Sequence, residues 1–240
     1  MKTDSFITPT GDHRLTEIET HLSRLFQSGQ PGHDEFLRYY GAAFRYFRVL
    51  VGDGETAKDL TNQFAERFFN GDFTRFDPAK GRFRDFVKTA IRNMAIDHHR
   101  RRRPMAEIGD AEVAAPDETD ATFDAAWHEE LLHQAWRALE RRQEADGQPH
   151  FAVLKLKTDH PKMRSTELGE NLSKTLGKLV AAATARQWVH RARDLFQDLL
   201  IDEVAYSIGS KDRGRLMEEL ESLRLLTVCR PAMERRFGSG

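Results

Sequence analysis

Between Phe76 and Arg103 the chain reads FDPAKGRFRDFVKTAIRNMAIDHHRRRR. This stretch holds nine basic residues (Lys80, Arg82, Arg84, Lys88, Arg92 and Arg100 to Arg103) against three acids, in a protein of 240 residues with net charge −1. Phe83, Phe86, Val87, Ala90, Ile91, Met94 and Ala95 recur within it at helical spacing. The segment is therefore constrained to an amphipathic helix with a cationic side, entered through a Pro78/Gly81 turn. A local excess of positive charge beside aromatics is the pattern expected of a surface that meets a polyanion. Phe76 sits in the turn, where stacking on an unpaired base is a use open to it.

Helical periodicity governs the other segments too. Leu15, Ile18, Leu22, Leu25 and Phe26 predict a helix of no legible function within residues 1–33. From Asp34, Phe36, Leu37, Tyr40, Phe44, Phe47, Val49 and Leu50 predict a second, stopped by Gly52-Asp53-Gly54. A third carries Ala57, Leu60, Phe64, Phe68 and Phe69, with Asp59, Gln63 and Arg67 on an adjacent stripe. With the basic helix these make a compact unit over 34–103, in which Phe64, Phe68, Phe83 and Phe86 read as core. Residues 105–126 contain seven acids and no Lys or Arg, with no sustained apolar period. Together with Pro104 they predict an extended acidic linker over 104–126.

The second domain is expected over 127–208. Trp127, Leu131, Leu132, Ala135, Trp136 and Leu139 open it. A short helix from Ser165 with Leu168, Leu172 and Leu176, the Gly177-Lys178 turn and a longer helix from about Ala181 give a helix-turn-helix layout. The longer helix offers Thr184, Arg186, Gln187, His190, Arg191 and Arg193. Arg and Gln are suited to bidentate bonds with base edges, and the cations suit phosphates. Leu216, Leu220, Leu223 and Leu226 predict a helical extension over 209–240.

The exclusions are as informative. The chain has one cysteine, Cys229, which rules out an internal disulfide and a multi-thiolate zinc site. No segment approaches the roughly 20 apolar residues of a membrane span, and the first residues lack a signal-peptide core. A cytoplasmic protein with no membrane partner is expected. No phosphate loop, nucleophile motif or metal-ligand spacing appears, and His98-His99 lack a persuasive third ligand. No enzyme activity, metal or cofactor is expected.

Two pieces, KDLTNQFAERFF (Lys58 to Phe69) running on to FDPAKGRFRDFVKTAIRNMAIDHHRRRR, and STELGENL (Ser165 to Leu172) followed by ARQWVHRARDLFQDLLIDEV (Ala185 to Val204), resemble bacterial RNA polymerase sigma factors of the sigma-70 family, extracytoplasmic-function group. The resemblance implies an all-α protein with a sigma-two-like bundle and a sigma-four-like helix-turn-helix domain joined by the acidic linker. It implies a transcription initiation factor that binds polymerase core at the β′ clamp helices and the β flap. Core binding falls to Asp59, Thr61, Gln63 and Arg67. The minus-ten element falls to Phe76, Lys80, Arg82, Arg84, Lys88, Arg92, Asn93, Asp97, His98, Arg100 and Arg101. The minus-thirty-five element falls to Thr184, Arg186, Gln187, His190, Arg191 and Arg193. The core-binding helix departs from the family pattern, since Asn62-Gln63 stands where a glutamine and an acid are usual. Phosphorylation of Thr61 by a Ser/Thr kinase would restore the missing charge, and an anti-sigma factor is the other regulatory partner implied. A helix-turn-helix regulator acting without polymerase core is the rival reading.

Overall fold

In a computed structural model, residues 33–70, 81–102 and 116–238 are described. Nine helices and no strand occur among them. They are α1 (His33–Val51), α2 (Gly54–Phe69), α3 (Phe83–Arg102), α4 (Pro116–Asp146), α5 (His150–Asp159), α6 (Ser165–Leu176), α7 (Ala182–Ser207), α8 (Arg213–Ser222) and α9 (Leu226–Phe237). The helix expected around 15–26, the loop residues Phe76 and Lys80, and Arg103 lie outside the described residues. The chain forms two compact units, mainly Gly11–Leu131 and mainly Leu132–Tyr206 with Ser210–Gly240. The division falls inside α4.

The first unit is built on aromatic and small residues. Tyr40, Ala42, Ala43, Tyr46 and Phe47 of α1 are buried, as are Leu60 and Phe64 of α2 and Val87, Ile91, Met94 and Ala95 of α3. Phe47 and Phe64 meet edge to face at 6.5 Å. The turn between α1 and α2 is made by Gly52 in the left-handed region (φ 73°) and by Asp53, which caps α2 by accepting from the Thr56 N–H at 2.8 Å. Of the four phenylalanines read as core, Phe64 is fully buried, whereas Phe68, Phe83 and Phe86 are half-buried. Phe68 pairs with Phe69 at 5.8 Å, and Phe83 with Phe86 at 6.3 Å.

The acidic linker expected over 104–126 needs correction. From Pro116 onward it is helix, and Pro116 occupies a first-turn position where a missing N–H costs little. The start of α4 is the first unit's fourth helix. Phe123, Ala126 and Trp127 are buried, with Phe123 5.0 Å from the Tyr46 ring and 5.6 Å from Trp127. Arg45 fastens the same turn, donating to the Ala126 carbonyl at 3.1 Å and to Glu130 at 3.2 Å. Acidic composition concealed an apolar stripe at 123, 126, 127 and 131, spaced by three, one and four.

The second unit is organised around Trp136, whose ring lies 4.9 Å from Phe196 and 5.8 Å from Phe151. Val153, Leu168, Leu172, Val180, Ala185 and Val189 form the helix-turn-helix core. Gly177 ends α6 in the left-handed conformation (φ 64°). A relay holds the turn: the Val180 N–H donates to Ser173 Oγ at 2.8 Å, and that hydroxyl donates to the Gly169 carbonyl at 2.7 Å. A Cβ on Gly169 would stand 2.7 Å from the Val180 carbonyl oxygen, so α6 approaches the turn as closely as it does only because residue 169 has no side chain. The extension over 209–240 is integral to this unit. Cys229, Ala232 and Met233 of α9 are buried, and Arg235 and Arg236 grip Asp194, Asp198 and Asp202 of α7 at 2.7–3.4 Å.

Phe123→Ala should destabilise the first unit by about 3–5 kcal/mol, the cost of truncating a fully buried phenylalanine. Urea unfolding followed by circular dichroism measures it. A loss below about 1 kcal/mol would mean that the start of α4 is not part of that core.

Candidate nucleic-acid interface

In the first unit, α2 divides cleanly by exposure. Asp59, Gln63 and Arg67 are exposed and fall four residues apart, forming one outward stripe of mixed charge. Thr61 is not on it. Its side chain is fully buried and its hydroxyl donates to the Ala57 carbonyl at 2.6 Å. This corrects the expectation that Thr61 is a surface contact and phosphosite. Two residues along a helix from Gln63 is about 200° of rotation, which turns Thr61 into the core that Leu60, Phe64 and Ala65 form.

The basic residues of α3 fall into two sets. Arg100 and Arg101 are exposed, as are the neutral Asn93 and the acid Asp97 on the same helix, and Arg82 in the preceding turn is half-buried. Arg84, Lys88 and Arg92 form a second stripe with spacing of four, and that stripe is engaged by α4. Arg92 meets Asp120 at 2.6 Å, Lys88 meets Asp120 at 3.4 Å and Asp124 at 4.0 Å, and Arg84 meets Asp124 at 3.6 Å. Lys88 also has Asp85 at 3.8 Å. Arg84 is only 5% exposed, so the expectation that it faces DNA is corrected: its guanidinium lies beneath α4. Asp120 and Asp124 were absorbed into the linker reading. Their spacing of four, matching that of the three cations, was the available signal.

His98 and His99 stand edge to face at 6.0 Å, and His99 Nε2 lies 3.2 Å from the Leu50 carbonyl oxygen. Burial, followed by Arg102, His99 and Arg101, lowers the His98 pKa below its ordinary 6.5. His98 is therefore neutral at pH 7 and offers a hydrogen bond rather than a charge. No group of three metal-binding side chains occurs among the described residues.

In the second unit, Arg186, Gln187, His190 and Arg191 are exposed along the N-terminal half of α7, while Thr184 and Arg193 are half-buried. Arg186, Gln187, His190 and Arg193 line a groove of about 600 Å³ with Lys157, Met163 and Ser165. Lys157 is held there by the Pro161 and Met163 carbonyls at 2.8 and 2.7 Å, a contribution the sequence reading missed. His190 Nδ1 is 3.3 Å from Asp194, which Arg235 also holds. Burial opposes the charge of Arg236, but Asp202 and Asp198 outweigh it and keep its pKa above the ordinary value.

In the first unit an exposed mixed-charge stripe on α2 precedes a basic α3. Residues 36–104 match the family described as sigma-70 region 2. The chain thus carries a sigma-70 region 2 domain, the part of sigma-70 factors that binds RNA polymerase and melts promoter DNA. No curated protein and no solved structure matches the chain. No helix among the described residues is long and apolar enough to cross a membrane.

Thr61→Glu should unfold or strongly destabilise the first unit, because it places a carboxylate among Leu60, Phe64 and Ala65, whereas Thr61→Val should change stability by under about 1.5 kcal/mol. Thermal melts of the two variants decide the point. A Thr61→Glu protein as stable as wild type would return Thr61 to the surface.

Proposed function

We propose that the protein is a sigma factor of the extracytoplasmic-function group, which recruits RNA polymerase core to promoters. The observation that carries this reading is the sigma-70 region 2 match over residues 36–104. The exposed Asp59, Gln63 and Arg67 stripe supports α2 as the docking surface for the β′ clamp helices. Phe76 and Lys80, which lie outside the described residues, join Arg82 and, on α3, Asn93, Asp97, His98, Arg100 and Arg101 in the minus-ten role. Lys88 and Arg92 join that surface only when released from α4.

The second unit takes the sigma-four role, with Thr184, Arg186, Gln187, His190, Arg191 and Arg193 at the minus-thirty-five element and a further contact to the β flap. An anti-sigma factor contesting the α2 stripe fits as regulator, and a Ser/Thr kinase fits only at a residue other than Thr61. Such a protein works where the polymerase is, in the cytoplasm.

Co-purification with core polymerase tests the reading. The double substitution Asp59→Ala with Arg67→Ala should lower core affinity at least about tenfold, or ~1.4 kcal/mol, without lowering the melting temperature. Wild-type protein that binds duplex operator DNA tightly without core, and ignores core, would instead be a helix-turn-helix regulator. Arg186→Ala should lower discrimination at one base of the upstream element by about 1–3 kcal/mol if its contact is bidentate. A uniform loss across all sequences would mark a phosphate contact.

A further inference from the structure

We propose that Lys88 and Arg92 on α3 form a site for the phosphates of single-stranded nucleic acid that the chain fills with its own Asp120, while Arg84 stays paired with Asp124. This rests on the promoter-opening role assigned to α3 above. The occupant is a defined segment, the first turns of α4. Its two carboxylates stand about 6 Å apart along the helix axis, one turn, and its position is fixed by Phe123, Ala126, Trp127 and the Arg45 contacts.

The three cations are not equivalent. Arg84 has a side chain only 6% exposed and stays with Asp124 as the inner anchor. Lys88 and Arg92 are 16% and 27% exposed, and their partner Asp120 is 37% exposed, so water and ions reach this outer pair. A carboxylate pair at that exposure is weakly held and screened by salt. A phosphodiester strand carries the same charge and acceptor chemistry at higher local density, so it can take Lys88 and Arg92 from Asp120 without disturbing Arg84. Asp120 therefore competes with the strand, and the free chain holds its melting surface partly closed.

Asp120→Asn in the full chain tests this, with a short single-stranded oligonucleotide titrated at several salt concentrations. Removing the Asp120 charge should raise affinity at low salt and steepen the slope of log affinity against log salt by up to about 1.4, about 0.7 for each of Lys88 and Arg92, and by less where Asp85 and Asp124 keep hold of Lys88. Adding Lys88→Ala and Arg92→Ala to the same variant should abolish the gain. An unchanged slope in folded Asp120→Asn protein would overturn the proposal and leave the ion pairs as a brace. Hydrogen exchange on wild type gives a second measurement that needs no substitution. Saturating oligonucleotide should reduce protection in the first turns of α4, and unaltered protection would overturn the proposal equally. Core co-purification and promoter-dependent transcription by wild type are measured alongside. If both succeed while the slope is unchanged, this inference alone falls; if both fail, the promoter reading falls and the salt slope judges the phosphate site by itself.

Discussion

The ion pairs between α3 and the start of α4 determine what the first unit can be. A guanidinium as buried as that of Arg84 is strongly unfavourable unless an acid comes with it, and Asp124 is that acid. Removing the partner would leave a cation beneath a helix. Keeping the partner requires α4 to lie where Phe123 and Trp127 find Tyr46. Apolar burial supplies most of the stabilisation, and the charges set the register in which it occurs. Asp120 and Asp124 are one turn apart, as are Lys88 and Arg92, so a slip by one residue would break both pairings together.

The same economy of faces operates on α2 and α7. On α2 the core takes Ala57, Leu60, Thr61 and Phe64, and the Thr61 hydroxyl is satisfied within the helix by Ala57, so no polar group there asks for an outside partner. The outward stripe is left free of structural duty. On α7 the charges are segregated along the axis. Arg186, His190, Arg191 and Arg193 lie in the first half, and Asp194, Asp198 and Asp202 follow. An acidic second half would repel any polyanion brought to the first. Arg235 and Arg236 offset two of its charges, which gives the C-terminal helix an electrostatic as well as a packing role.

Much of this was legible in the residues. The all-helical class, the helix-turn-helix core with Leu168, Leu172 and Val189, and the outward Asp59, Gln63 and Arg67 stripe all follow from a 3.6-residue period, whereas Trp127 and Leu131, expected to open the second domain, fall in the first unit. What the period does not reveal is which of two polar faces meets another helix. Arg84, Lys88 and Arg92 look like free cations in the sequence because their partners lie 28 to 40 residues away in a segment dominated by acids. Thr61 was misplaced for a simpler reason. Its neighbour Gln63 is outward, but two residues reverse direction on a helix, and a small polar residue that bonds its own backbone needs no solvent. Gly169 carries no periodic signal at all, because its requirement is set by the Val180 carbonyl across the turn.

These misreadings share a physical origin that bears on function. Composition reports the charge a segment carries, and only pairing reports the charge it presents. By composition, Phe76 to Arg103 is the most cationic surface of the chain and residues 105–126 its most acidic stretch. Once Asp120 and Asp124 lie on Lys88 and Arg92, the field that stripe presents to an approaching nucleic acid falls sharply. The exposed cations of α3 then shift toward its C-terminal end, at Arg100 to Arg102, beyond the neutral His98. A polyanion would therefore engage the end of α3 first and reach the Lys88 and Arg92 turns only by competing with the chain's own carboxylates. That order of contact follows from the exposure of each pair and would hold for any polyanion that approaches this face.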